Sequence, residues 1–301
     1  MIECVPNVSE GRRADVIESL AAAIGSVEGV QLLHWCADPS HNRSVFTFAG
    51  EAEPLQQAVL TLLGQAIARI DLRSHQGVHP RIGVVDVVPF VPLAGSTMSE
   101  CVTTARATAE AAAKRFAIPV YLYEEAASGP LRRNLADIRR GGFEALALRM
   151  ADTQWLPDYG PPAPHPTAGA TAIGARRALI AYNVNLATDR LDVARRIASR
   201  IRSSSGGLPA VKAMGVPLDH RGVVQVTMNL TDYKQTSMRR VFDFIRQEAE
   251  REGVTILESE LIGLVPADAM ADVTPEYLKL TGFDPSLILE NRLKRGREPF
   301  P

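Results

Sequence analysis

Val224-Gln225-Val226-Thr227-Met228-Asn229-Leu230 alternates apolar and polar side chains without a break, the period of a strand with one face buried and one face polar. Such alternation belongs to an antiparallel sheet covered on one side only. Outward from this strand, Val211 to Val216 reads as the strand before it. Leu191, Ala194, Ala198 and Ile201 supply a helical stripe, and Leu179 to Leu186 an earlier strand. Downstream, Met238, Val241, Phe242, Ile245 and Ala249 make one helix face, and Thr255 to Leu257 starts a last strand. The order is β-α-β-β-α-β.

The first half of the chain repeats that order. Ile2 to Val8 is a strand, and Val16, Ile17, Leu20 and Ile24 recur at helical spacing. Val30 to Trp35 and Ser44 to Phe48 flank the turn-forming Asp38-Pro39-Ser40-His41-Asn42. Leu55, Val59, Leu62, Leu63, Ala66 and Ile67 form a helix stripe, and Gly83 to Val91 a buried strand. An Ala-rich helix over Met98 to Phe116, a strand at Val120 to Tyr123 and helical pieces between Arg132 and Met150 follow. Pro157 to Pro166 carries five prolines in ten residues and is read as a loop at the lobe boundary. These patterns predict an α/β (α+β) protein of two ferredoxin-like βαββαβ lobes, residues 1–175 and 176–301, with helices on one face of each antiparallel sheet and a ligand cleft between the lobes.

The chain has 301 residues, 46% of them hydrophobic, with 33 Lys plus Arg against 34 Asp plus Glu. That composition excludes a disordered chain, and the balance of charge leaves no global field to attract nucleic acid or an anionic membrane. No apolar run reaches the ~20 residues of a membrane span. Cys4, Cys36 and Cys101 fit neither a disulfide framework nor a CxxC pair, so a cytoplasmic location is expected.

Gly169-Ala170-Thr171-Ala172-Ile173-Gly174 spaces its glycines like a phosphate loop, but Ala175-Arg176 replaces the required Lys-Ser/Thr and a nucleotide loop is rejected. His75-Gln76-Gly77-Val78-His79-Pro80-Arg81 is the densest polar cluster. Pro80 restricts the backbone of His79, and an imidazole of unperturbed pKa about 6.5 there can shuttle a proton. Its bland alternative is a surface loop histidine. Arg43, Arg176 and Arg177 read as anion clamps or solvated edge charges, the residues alone favouring the latter. Arg132-Arg133, Arg139-Arg140 and Arg239-Arg240 read as exposed helix faces, and Arg292 to Arg297 as a polar tail.

Several segments together resemble the glutamate formimidoyltransferase (formiminotransferase) family. They are Glu3 to Gly11, Asn42-Arg43-Ser44-Val45, His79-Pro80-Arg81-Ile82-Gly83 with Asp86 and Pro89-Phe90, and Pro119 to Tyr123. Gly160-Pro161 to Gly169-Ala170-Thr171, and Gly174-Ala175-Arg176 with Asn183-Val184-Asn185, complete the set in family order, down to about Pro266. The resemblance implies transfer of a formimidoyl group from N-formimino-L-glutamate to N5 of tetrahydrofolate in histidine degradation, with tetrahydrofolate as co-substrate and no metal. It implies His79 as catalytic base. Arg43, Arg81 and Arg176 are expected to clamp substrate carboxylates, with Asp38 standing in for the acidic residue that Cys36 replaces. Gly160, Pro161, Pro162, Ala163, Pro164, His165, Pro166, Thr167, Ala168 and Gly169 take the folate-contacting position, with Pro164-His165-Pro166 where an aromatic and apolar sequence is more usual. A homodimer is implied, and ring closure of the product is expected of a separate cyclodeaminase. Two rival readings are a metal-dependent hydrolase using His75, His79 and Asp38, and a non-catalytic or repair protein that binds folate.

Overall fold

The computed structural model describes residues 1–39, 41–77, 80–218 and 221–295. The chain divides into two compact units, Met1–Arg176 and residues 177–295. In the first, the strands are β1 (Ile2–Cys4), β2 (Asn7–Val8), β3 (Val30–Asp38), β4 (Arg43–Gly50), β5 (Val85–Pro92), β6 (Val120–Glu124) and β7 (Thr171–Ala175). Helices α1 (Ala14–Gly25), α2 (Ala52–Arg69), α3 (Met98–Phe116), α4 (Leu135–Ile138) and α5 (Gly142–Met150) connect them. β1 and β2 are one strand interrupted at Pro6, which has no N–H to give the ladder. Together they lie between β4 and β5, both antiparallel to them, while β3 pairs β4 on the outside. Up to β5 this is the expected βαββαβ order.

Beyond β5 the first sheet departs from the expectation of a purely antiparallel sheet. β7 inserts between β5 and β6 and is parallel to both, with Val87 opposite Ala172 and Leu122 opposite Ile173. The sequence pattern has no strand at Thr171–Ala175, because Ala172, Gly174 and Ala175 have low strand propensity. A strand buried on both faces shows no alternation either. The proline-rich stretch is therefore not the lobe boundary. The chain returns from it to the first sheet and leaves that unit only after Arg176. α1, α2 and α3 bury Leu20, Ile24, Leu62, Leu63, Ala105 and Ala109 against Phe46, Phe48 and Phe90 on one sheet face. The expected single helical face is also incomplete here. Ile138, Leu146 and Met150 of α4 and α5 pack on Val87, Tyr121 and Tyr123 of the other face.

The second unit holds β8 (Ile180–Leu186), α6 (Leu191–Ile201), β9 (Val211–Leu218), β10 (Val223–Leu230), α7 (Met238–Arg251), β11 (Ile256–Ile262) and α8 (Leu289–Arg295). Its sheet is antiparallel throughout in the order β11-β8-β10-β9. Val224, Val226, Met228 and Leu230 face α6 and α7, as the alternation requires. The described residues of the expected polar tail, Arg292 to Arg295, are helical instead, as part of Leu289–Arg295, and Arg292 is buried.

Burial also corrects the reading of two arginine pairs. Arg132 is 8% exposed, donates to Asp158 Oδ2 at 2.9 Å and stacks over the rings of Tyr121 and Trp155. Arg139 pairs with the buried Asp86. Charges lodged among apolar groups need such partners, and spacing along a helix does not reveal who sits opposite. Arg239 and Arg240 are exposed, as expected.

Candidate functional site

At one end of the first sheet three strands stop level with one another. Val8 pairs with both Ser44 and Val85, and Asp38 pairs with Arg43. The hairpin that joins β3 to β4 turns through Asn42 at φ 48°, a left-handed conformation that asparagine tolerates. Asn42 is buried and joins three segments. Its Oδ1 accepts from the Gly11 N–H at 2.9 Å, its Nδ2 donates to the Gln76 carbonyl at 2.9 Å, and its carbonyl lies 2.9 Å from His75 Nε2. Sequence reading quoted Asn42 within a matching stretch without giving it a role. An asparagine in a turn before an edge arginine was the available signal. In the same hairpin His41 Nδ1 lies 2.5 Å from Asp38 Oδ2, and the His41 N–H donates to Asp38 Oδ1 at 3.0 Å. The structure thus sets Asp38 against His41.

Residues 75–77 pack on this hairpin. Gly77 comes so close that a Cβ there would stand 2.4 Å from the His41 carbonyl oxygen. His79 lies outside the described residues, as does Val78, but the residues on either side are joined. Arg81 Nε donates to His75 Nδ1 at 2.9 Å, and Arg81 Nη2 to the His75 carbonyl at 3.2 Å. The rest of the Arg81 fork makes two bonds to Glu144, at 2.8 and 3.1 Å. Accepting these bonds keeps the Glu144 carboxyl below its ordinary range. Burial lowers the His75 pKa against the raising effect of its bond to Asn42, and the Arg81 charge lowers it further. A neutral His75 that accepts at Nδ1 and donates at Nε2 has no lone pair left for a metal, which counts against the hydrolase reading. Among the described residues no group of three or more His, Cys, Asp or Glu is arranged to hold a metal ion.

Residues 160–169 form a turn anchored to Leu72, Ile82 and Val84. The Leu72 N–H donates to the Thr167 carbonyl at 2.9 Å, Val84 N–H to the Ala168 carbonyl at 3.0 Å, and Ala170 N–H to the Ile82 carbonyl at 2.9 Å. At Gly169, φ is 72° and a Cβ would lie 2.0 Å from the Ile82 carbonyl oxygen, so only glycine fits. His165 closes the turn by exchanging backbone bonds with Gly169, and its Nδ1 accepts from the Ala168 N–H at 3.1 Å. Burial lowers its pKa. Gly160, Pro162, Ala163 and Pro166 are exposed, Pro161, Pro164, His165 and Thr167 are half-buried, and Ala168 and Gly169 are buried. The stretch presents a stiff rim on a fixed base. Arg132 holds the entry to it, because Asp158 Oδ2 accepts from both Arg132 and the Leu122 N–H.

Arg43 is half-buried at the end of β4. Burial lowers its pKa, the neighbouring charge of Arg139 lowers it further, and Asp86 opposes both. Burial also raises the Cys36 thiol, offset in part by Arg43. The fold therefore gathers Asp38, Arg43 and Arg81 and the turn 160–169 about one end of the first sheet. Arg176 stands apart, following β7 with its N–H on the Phe90 carbonyl. At about 3.3 Å per residue that places its backbone roughly 20 Å along the sheet from Val84.

The second unit carries a polar array that sequence reading left without a role. On the sheet face opposite α6 and α7, Asn183 Nδ2 donates to Glu260 Oε1 and Asn185 Nδ2 to Glu258 Oε1, each at 3.0 Å. Gln225 Nε2 bridges Asn185 Oδ1 and Glu260 Oε1 at 2.9 and 3.0 Å. Glu258 also pairs with Arg221, whose hydrogen bond, followed by that of Asn185, lowers its pKa. The signal was polar residues at matching positions of three neighbouring strands, visible only once the register is known.

Two family models match the chain: the formiminotransferase domain, N-terminal subdomain, over residues 1–176, and the formiminotransferase domain over residues 181–291. A glutamate formimidoyltransferase of Streptococcus pyogenes serotype M1 is 46% identical, covering 97% of this chain and 98% of its own. One from Thermoplasma acidophilum is 44% identical, covering 98% of each. The formimidoyltransferase-cyclodeaminase of Rattus norvegicus is 40% identical over 92% of this chain, which spans 52% of that longer protein. With both family models matched in order and relatives similar over nearly its whole length, the chain belongs to the formiminotransferase family.

Proposed function

We propose that the protein transfers the formimidoyl group of N-formimino-L-glutamate to N5 of tetrahydrofolate, releasing L-glutamate, as a step of histidine degradation. The observation that supports this reading is that described residues flanking His79 in the sequence, 72–76 and 82–84, are bonded to Asn42 and to the 165–170 turn, in a chain similar throughout to glutamate formimidoyltransferases. Tetrahydrofolate supplies a nucleophilic secondary amine at N5. His79 takes the proton that this nitrogen sheds as it attacks the formimino carbon, and returns one to the departing glutamate nitrogen. General acid–base catalysis of this kind contributes about 10²–10⁴ in rate. Holding two substrates in register adds more, since effective molarities reach ~10⁵ M.

The positions of other side chains support the remaining roles. Arg43 recognises carboxylate as a half-buried guanidinium, and Arg81 ties His75 to Glu144. Asp38 acts through His41. The Arg176 backbone lies toward the other end of the sheet, and its side chain bonds Tyr123. The exposed rim Gly160 to Pro166 offers a stiff surface to folate, while Thr167 to Gly169 hold it in place. Free Cys4, Cys36 and Cys101 support a reducing, cytoplasmic setting. The same reading includes a homodimer and a separate cyclodeaminase that closes the product ring.

The test is to incubate the purified protein with N-formimino-L-glutamate, with and without tetrahydrofolate, and to follow free glutamate. Release that requires tetrahydrofolate supports transfer. Release without it would make the protein a hydrolase, and folate binding without release a non-catalytic binder.

A further inference from the structure

In the second unit, the strand register sets Glu258 and Glu260 of β11 beside Asn185 and Asn183 of β8, which stand beside Gln225 and Thr227 of β10. These residues lie on the sheet face turned away from α6 and α7, since Tyr182, Val184, Val224 and Val226 between them pack into the helical core. A carboxylate only accepts, so Glu260 Oε1 holds two amides with their nitrogens toward it, Asn183 Nδ2 and Gln225 Nε2, each at 3.0 Å. Gln225 gives its second N–H to Asn185 Oδ1 at 2.9 Å. Acceptors are left over. Among the described residues no donor reaches Gln225 Oε1, Asn183 Oδ1 or Glu260 Oε2, although Gln225 is only 4% exposed and Asn183 8%. Glu258 has Arg221 as its cation, whereas Glu260 has no ion pair among the described residues. An unmet acceptor on a nearly buried side chain is costly, and a ligand that brings N–H donors removes the cost. The flanks narrow the ligand further. Met214, opposite Thr227, and Ile262, beyond Glu260 on the same strand face, are 57% and 37% exposed. Apolar side chains on both sides of a polar floor suit a flat organic group better than a hydrated metal ion.

We propose that Glu260, with Gln225 and Asn183, determines specificity by binding the two-donor edge of a planar N–C–N group. One N–H goes to Glu260 Oε2 and the other to an amide oxygen beside it, the first of these bonds strengthened by the carboxylate charge. The identity of the ligand rests on the transfer reading above, in which two molecules carry such an edge. N-formimino-L-glutamate has it at its formamidinium end, and tetrahydrofolate at the N3–H and exocyclic amine of its pyrimidine ring. Calorimetric titration of the full chain with two matched pairs of probes tests the site. Tetrahydropterin is compared with its analogue bearing methyl in place of the exocyclic amine, and N-formimino-L-glutamate with L-glutamate. Glu260→Gln keeps an oxygen for Asn183 and Gln225 and turns the open acceptor into a donor. It is expected to weaken an edge-bearing probe at least ~10-fold and to leave the matched control unchanged. Such a loss for tetrahydropterin assigns the edge to the folate ring, and for N-formimino-L-glutamate to the donor; either supports the site. Unchanged affinity for both, equal loss for a probe and its control, or wild-type protein that binds neither probe overturns it. Should Glu260→Gln not fold, Glu260→Asp keeps the charge and draws the carboxylate back by one carbon. A severalfold weakening of the same probe at an unchanged unfolding midpoint supports the site, and unchanged affinity overturns it. Every readout is binding alone, so a failure of the transfer reading shows separately, as wild-type protein that releases no glutamate when both substrates are present.

Discussion

Arg81 and His75 close on each other across the residues between them: the guanidinium gives one bond to the His75 ring, one to its carbonyl and two to Glu144. In the sequence His79, the residue expected to handle the proton, falls between these two.

Arg81→Ala removes all four bonds and leaves His75 Nδ1 without its donor. At about 1.5–3 kcal/mol for a hydrogen bond to a charged group, discounted for the exposed Glu144, a loss of about 1–3 kcal/mol in folding stability is expected, with kcat falling at least ~10-fold. Urea unfolding and steady-state kinetics check this. A variant with wild-type kcat would remove the clasp from the account of activity.

His79→Ala is expected to cut turnover at least ~10²-fold while tetrahydrofolate binding stays nearly intact, following the usual contribution of a general base. The check is single-turnover glutamate release beside equilibrium folate binding, and wild-type release in the variant would exclude His79 from the chemistry.

Acid should loosen the same segment. Burial lowers the His75 pKa in the folded chain, so the folded chain binds fewer protons there than the unfolded one. Its stabilising effect is complete above the unfolded value of about 6.5 and declines as pH falls below it. His75→Gln can give and accept the same two bonds without titrating. The wild type is therefore expected to lose more stability than His75→Gln between pH 7.5 and 5.5, both pH values being roughly one unit from that unfolded value. Parallel pH dependence of the two unfolding midpoints would count against this.

Gly77→Ala tests the contact between the segment and the hairpin. The new methyl would meet the His41 carbonyl at 2.4 Å, a backbone atom that cannot swing aside. Overpacking of this sort costs about 1–3 kcal/mol. Here the site should suffer more than the fold, with kcat reduced at least ~10-fold and the circular dichroism spectrum retained.

Arg132→Leu should be the most destabilising of these substitutions outside the site. It leaves Asp158 half-buried without its cation and frees the chain entering the 160–169 turn. Breaking one side of such a pair costs about 3–5 kcal/mol. Thermal unfolding measures it, and a shift of less than ~2 °C would contradict the pairing's importance.

The alternation of Val224 to Leu230 and the helical stripes beginning at Val16, Leu55, Leu191 and Met238 determined the βαββαβ order of both units, because burial on one face imprints a period that any window of residues displays. The stretches around Asn42, His79 and Gly160 likewise named the family and most of the candidate site. The parallel strand Thr171–Ala175, the ion pairs of Arg132 and Arg139, the clasp of Arg81 on His75 and the amide–carboxylate array at Asn183, Asn185, Gln225, Glu258 and Glu260 were decided only by the tertiary structure. Each depends on which distant segment stands opposite. A period along the chain records which face is buried, but not the partner that neutralises a charge or the neighbours that turn a run of small residues into a central strand.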